Sequence, residues 1–337
     1  MMVVGLAVMV AVFAWVIPRF ANYGQVWQQI KAISPKWLIV LIIVDLINLA
    51  TYAPNWMVAL PGLNYRQSLE LNMAGTAVAN VAGAVGGPVS MGMQYGMMRE
   101  WGFESRHAGR AMVLTGVWNQ FISFGMPIIA VVLLTIRGGK NAALMVAAQV
   151  GLPLLVVGLG VFSTILRSDA GAQKVGGLVD RLRRFISRAR KKTFAGDSAR
   201  ALITFRKDSL DLLRRRWAAL TITTLVGNLT VFVVFACAVR AVGTPGTEVT
   251  LTEAFAAWAI TRLLSAVPIT PGGLGFIDVG LTGALAAFGA DNAKAVSAVL
   301  LYRVLTWLPP VVLGAIAALT WRKGHPGAAS ASPDALS

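Results

Sequence analysis

Pro271-Gly272-Gly273-Leu274-Gly275 interrupts an apolar stretch and has a short hydrophobic arm on each side. Helix breakers there are costly, because lipid offers no partner for the backbone groups they free. Such backbone must lie within protein or line a wet cavity. A second break, Gly86-Gly87-Pro88, lies in the first half of the chain. One Gly/Pro-interrupted hydrophobic segment per half is the pattern of a transporter-like binding site.

Composition places both breaks in a membrane. Of 337 residues, 56% are hydrophobic and only 13% charged, against about 25% charged in a typical soluble domain. The net charge of +16 does not indicate nucleic acid, because the basic residues cluster between apolar segments as topology determinants do. Cys237 is the only cysteine, which excludes an internal disulfide and a cysteine-based metal cluster. His107 and His325 lack ligand spacing, so neither a metal nor another cofactor is expected.

Six apolar segments read as full transmembrane helices: 1–17, 37–60, 110–136, 142–166, 217–242 and 294–320. The first lacks the basic flank and cleavage site of a signal peptide and reads as a span. Two more segments are broken: 69–85 continuing to 98 around Gly86-Gly87-Pro88, and 252–267 with 274–289 around 268–273. Their arms are short for the ~20 residues that span a bilayer and suit re-entrant hairpins, or else a pair of short, tilted spans, which leaves the topology unchanged. The expectation is an all-α polytopic membrane protein with one integral domain over 1–323. It divides into a first half (1–166), a basic loop (167–216) and a second half (217–323). Residues 324–337, rich in Gly, Ala, Ser and Pro, read as a disordered tail.

Fifteen of the 30 lysines and arginines lie in 167–216, which places that segment in the cytoplasm. Alternation from there puts both termini inside, with twenty-one basic residues on the inner side and seven outside. The first hairpin then opens inward and the second outward. In each half a hairpin is followed by a glycine-containing turn (Gly102, Gly289) and a span with polar residues (Asn119 and Gln120; Arg303), an inverted-topology repeat. Within the loop, Val175, Leu178, Val179, Leu182, Phe185, Ile186 and Ala189 recur at helical spacing opposite arginines. This describes a basic amphipathic helix on the inner membrane surface, either gathering anionic lipid or locking topology.

Charged residues within spans are candidates for function. Arg303, deep in its span, needs an anion: Asp278, a lipid phosphate, or each in turn. Arg262 is the second candidate for phosphate, with packing against the broken backbone as the alternative. Asp45 suits a cationic headgroup, a proton, or a hydrogen bond to Asn48. Glu70 and Glu253, near the starts of the first arms, suit helix capping. Gly272 and Gly273 in one break and Gly87 in the other expose N–H groups suited to an anion, or simply permit tight turns. Gln94, Asn119 and Gln120 add neutral polar lining. No nucleophile–base set, close carboxylate pair or phosphate-binding loop indicates an enzyme.

Pro268-Ile269-Thr270-Pro271-Gly272-Gly273-Leu274-Gly275-Phe276-Ile277-Asp278, with Leu301-Tyr302-Arg303 in the next span, resembles the flippase-like membrane family named after the transmembrane region of lysylphosphatidylglycerol synthase. The resemblance covers nearly the whole chain and implies lipid translocation. Asp278 stands where that family usually has Glu, and the first half lacks the family's usual Asn-x-x-Leu-Pro run. Only a short tail follows Trp321, so the aminoacyl-transferase domain of the full synthases is not expected. The expected function is movement of a phosphate-bearing lipid headgroup through a polar cavity between two opposed hairpins. Arg303 and Arg262 would take the phosphate; Asp278 and Asp45 would take positive charge or protons. Two alternatives are a secondary transporter of a small polar or anionic solute and a membrane scaffold for an envelope-lipid enzyme. Expected partners are a phospholipid or glycolipid, anionic inner-leaflet lipid at 167–216, and a lipid-modifying enzyme or a second copy of the chain. The expected location is a bacterial inner membrane.

Overall fold

The computed structural model describes residues 23–81, 86–137, 142–190, 198–243, 249–264 and 275–324. The expected first span at 1–17, the break at 268–273 with Gly272 and Gly273, and the tail from 325 lie outside them. Every regular element among the described residues is a helix: α1 Tyr23–Lys31, α2 Pro35–Ala50, α3 Tyr52–Ala59, α4 Tyr65–Val81, α5 Gly86–Glu100, α6 Ser105–Ile136, α7 Ala142–Arg167, α8 Asp169–Arg190, α9 Ser198–Val242, α10 Leu251–Leu264, α11 Phe276–Ala287 and α12 Asn292–Gly324. Five stretches are long and apolar enough to cross a membrane: Pro35–Ala59, Ser105–Ile136, Gln149–Arg167, Ser198–Val242 and Asn292–Gly314. Ile39, Ile42, Ile43 and Ile47 on α2 and Val156 and Val157 on α7 face outward, as a lipid-facing shell does.

Local chemistry sets the boundaries. Ser34 precedes α2 and Pro35 occupies its first turn, where a missing N–H costs nothing. Pro54 cannot donate to the Ala50 carbonyl, so the apolar run divides into α2 and α3 at Thr51. The Tyr65 hydroxyl donates to that carbonyl at 3.1 Å. Gly86, Gly87 and Pro88 are helical and belong to α5. At α10 the capping reading of Glu253 holds: its carboxylate accepts from the Thr250 N–H (2.7 Å) and hydroxyl (2.8 Å), while the Glu253 N–H donates to that hydroxyl (3.3 Å). Glu70 instead lies inside α4, where it pairs with Arg66 one turn back at 2.8 Å.

α4 and α5 pack antiparallel. Ser90 Oγ donates to the Gly75 carbonyl (2.7 Å) and Gln94 Nε2 to the Leu71 carbonyl (3.2 Å). A side chain on Gly75 would collide with Gln94, so the glycine makes room for that amide. The two halves then interlock. α4 packs on α12, α10 packs on α6, and α9 packs on α2 and α3. The first arm of each broken pair thus rests on the long helix that follows the other pair.

The 167–216 segment is a helical hairpin. α9 runs unbroken for 45 residues, about 68 Å at 1.5 Å per residue. That is more than twice the ~30 Å hydrocarbon thickness, so its basic N-terminal part stands outside the bilayer as a helix, not a loop. α8 lies along it through Ala172 and Gly176; a Cβ on Gly176 would sit 2.4 Å from the Ala199 Cα. Arg206 binds Asp169 Oδ1 through Nη1 (2.7 Å) and the Leu166 carbonyl through Nε (3.0 Å), fastening the hairpin to the end of α7. Leu178 and Val179 on α8 remain exposed.

Two apolar clusters hold the bundle. One includes Trp56, Leu71, Met97, Met98, Leu114 and Leu220. The other includes Met126, Phe232, Phe235, Phe255, Trp258 and Val299. Along both α6 and α9 the first cluster comes first, then a polar stretch, then the second cluster. α12 runs through the same three layers in reverse. A polar layer is therefore held between two apolar ones, at mid-depth of the helices.

Candidate functional site

That layer lines an open-mouthed cavity of about 510 Å³, formed by residues of α3, α4, α5, α6, α9, α10 and α12. Its polar walls repeat at helical spacing. Asn72, Thr76 and Asn80 form one stripe on α4, Thr115 and Asn119 another on α6, and Thr224 and Asn228 a third on α9. Tyr52, Trp56, Tyr302 and Trp307 supply aromatic surface.

Two arginines line the cavity, and their surroundings differ. Arg303 is paired: Nε and Nη2 approach Asp278 Oδ1 at 2.7 and 2.6 Å, and Asp278 is only 2% exposed. Asp278 Oδ2 accepts the Gly275 N–H at 2.8 Å and so caps α11. Gly275 adopts φ 82°, a left-handed conformation that glycine reaches without strain.

Among the described residues, the groups that contact Arg262 are neutral. Its Nη2 donates to Asn228 Oδ1 at 2.5 Å and, more weakly, to Ser123 Oγ at 3.4 Å. Its guanidinium lies 5.4 Å from the Trp258 ring centroid, within cation–π range. Among the described residues its buried Nε has no hydrogen-bond partner, and neither does the buried Nε1 of cavity-lining Trp307. Asn228 is held in turn: Nδ2 donates to the Thr224 carbonyl (2.9 Å) and to Asn119 Oδ1 (3.2 Å). A chain Arg262–Asn228–Asn119 therefore links α10, α9 and α6 across the cavity wall.

Of the residues singled out from sequence, Arg303, Arg262, Asn119 and Gln94 line the cavity, and Asp278 stands behind Arg303. Asp45 does not line it. It is buried on α2 at 4% exposure, and its Oδ1 has no hydrogen-bond partner. One turn on, Asn48 donates to Thr230 Oγ1 (2.9 Å) and accepts from the Tyr52 hydroxyl (3.3 Å) at the cavity edge. Gln120 is exposed outside the cavity, as is Gly87 of α5. Asn228, Asn55, Asn72, Asn80 and Tyr52 were not anticipated, although the Asn72/Thr76/Asn80 and Thr224/Asn228 spacings within apolar runs were readable.

These features define a polytopic helical membrane protein with a central polar cavity assembled from both halves of the chain. The family model described as "Lysylphosphatidylglycerol synthase TM region" matches residues 2–314, and the chain belongs to that family. The match covers the transmembrane region that gives the family its name. No curated protein matches the chain.

Proposed function

We propose that the protein is a lipid flippase that carries a lipid headgroup through the central cavity while the acyl tails stay in the bilayer. The observation that carries this reading is the position of Arg262, an arginine whose partners among the described residues are neutral, in a polar layer between two apolar clusters. Such a residue is expensive to hold at depth and serves best as a binding group for an anion.

The finer architecture belongs to the same reading: six full spans, with α4–α5 and α10–α11 as re-entrant pairs of an inverted repeat. α11, bounded by Gly275 and Phe288, has 12 residues, about 18 Å at 1.5 Å per residue and short of the ~30 Å core. The reciprocal packing of α4 on α12 and α10 on α6 fits a pseudo-twofold relation. So do the turns that follow each pair. Gly102 (φ 87°) and Gly289 (φ 94°) are each followed by a residue donating back across the turn, Phe103 to Met98 and Ala290 to Leu285, both at 3.1 Å. Counted from those glycines, cavity residues Thr115, Gly116 and Asn119 stand at the same places as Tyr302, Arg303 and Thr306. Rocking one half against the other would open the apolar layers in turn. Transport rather than catalysis is the proposed role. The basic α8–α9 hairpin would rest on anionic lipid of the inner leaflet, with Leu178 and Val179 of α8 turned to the surface.

The test is reconstitution into vesicles carrying tail-labelled lipids, with label accessibility to an impermeant quencher as the readout. Protein-dependent loss of protection is expected, reduced in Arg262→Gln. Movement equal to that in protein-free vesicles would sink the reading.

A further inference from the structure

The cavity's charge and hydrogen-bonding groups narrow what it can hold, provided that it receives a headgroup as proposed above. We infer that it is built for a monoanionic, polyhydroxylated headgroup, a phosphodiester bearing a polyol or sugar, and against headgroups that carry an amine.

The argument begins with charge. Arg303 is matched by Asp278, which makes that pair neutral as a unit. Among the described residues Arg262 has Asn228, Ser123 and the Trp258 face around it and no carboxylate, which leaves one positive charge uncompensated there. No aspartate or glutamate lines the cavity among the described residues. The two undescribed stretches that complete the broken pairs, 82–85 and 265–274, contain no acidic residue in sequence. Asp45, the remaining buried carboxylate, lies outside the lining. An ammonium headgroup would therefore lose its hydration without gaining a carboxylate, and would face an arginine of like sign. A single phosphodiester would meet the opposite situation, because guanidinium is the preferred planar donor for phosphate oxygens.

The neutral walls specify the rest. Asn55, Asn72 and Asn119 accept at Oδ1 from Thr224, Trp56 and Asn228, and Gln94 Nε2 donates to the Leu71 carbonyl. These amides therefore offer a ligand chiefly N–H groups, while Asn80 and the threonine hydroxyls of the lining both donate and accept. Hydroxyl groups of a polyol also donate and accept at the same atom, so each can be matched. An ammonium or quaternary amine cannot accept at all. Arg262 Nε and Trp307 Nε1 are buried donors without acceptors among the described residues, and phosphate and hydroxyl oxygens are acceptors that would suit them. Tyr52, Trp56, Tyr302 and Trp307 offer flat surface for the apolar C–H faces of a ring or chain.

The experiment uses the full chain in vesicles of one host composition, with four tail-labelled probes: phosphatidylglycerol, phosphatidylinositol, phosphatidylethanolamine and lysylphosphatidylglycerol. Short-chain versions of the same lipids are tested for thermal stabilisation of the detergent-solubilised protein. We expect the two polyol lipids to move, and to stabilise, at least about tenfold more effectively than the two amines, the size of one hydrogen bond to a charged group. Arg262→Gln should erase that preference and Arg262→Lys should retain part of it. Equal movement of all four, or faster movement of the amines, overturns this inference and leaves translocation standing. Movement of none, with polyol lipids still selectively stabilising the protein, supports the headgroup assignment and defeats translocation. Absence of both movement and selective stabilisation defeats both.

Discussion

Asp278 divides its carboxylate between two partners: Oδ2 holds the Gly275 N–H at 2.8 Å, and Oδ1 receives Arg303 Nε and Nη2 at 2.7 and 2.6 Å. One short acid thus starts α11 and neutralises the charge that α12 carries into the cavity. Asp278→Asn can keep the cap through its amide oxygen but strands Arg303. Breaking a buried pair from one side costs about 3–5 kcal/mol, so a clear fall in thermal midpoint is expected. Adding Arg303→Gln should recover much of it. A double variant no more stable than Asp278→Asn would mean that the pair is not what the substitution disturbs.

Asn228 joins Arg262 to Asn119. Asn228→Leu should leave Arg262 without its strongest acceptor and cost about 1–3 kcal/mol. Arg262→Met in the same background should restore part of the loss. Thermal unfolding of the four-member cycle measures the coupling, and strict additivity would refute it.

At Gly314 α12 packs tightly against α4. A Cβ there would lie 2.2 Å from the Met73 carbonyl oxygen and 2.6 Å from the Ala77 Cβ. Gly314→Ala should lower the thermal midpoint, with an overpacking cost of about 1–3 kcal/mol. Gly87→Ala, where nothing lies within 4 Å, should be tolerated. Loss of lipid movement in well-folded Gly87→Ala would instead support an anion-binding role for that segment.

The orientation read from basic residues can be checked by labelling, because Cys237 is the only cysteine. In a Cys237→Ser background, Thr250→Cys, between α9 and α10, should react with impermeant thiol reagents in intact cells. Lys174→Cys on α8 should react only after permeabilisation. The reverse pattern would invert the topology.

Much of the architecture was legible because a bilayer imposes simple rules. Apolar length located α2–α3, α6, α7 and the inner part of α9 and α12, and short arms located α4, α5, α10 and α11. Two readings needed revision for local reasons. The residues before Trp217 read as loop because charge obscures a helix that α8 stabilises by packing. Glu70 read as a cap because its distance from the helix start depended on where α4 begins, which is Tyr65.

By itself the sequence determined the membrane class and singled out Arg262, Asp278 and Arg303 as charges within apolar runs, since each is costly in lipid and visible one residue at a time. Only the tertiary structure decided that Asp278 belongs to Arg303 and that Arg262 is left to Asn228. It also decided that Asn72, Asn119 and Asn228, far apart in the chain, share one cavity. Pairing of this kind depends on how α4, α6, α9, α10 and α12 cross, which is set by close contacts such as Gly314 on Met73 and Gly75 beside Gln94. Those contacts are long-range packing relations between surfaces, and no local pattern of residues encodes them.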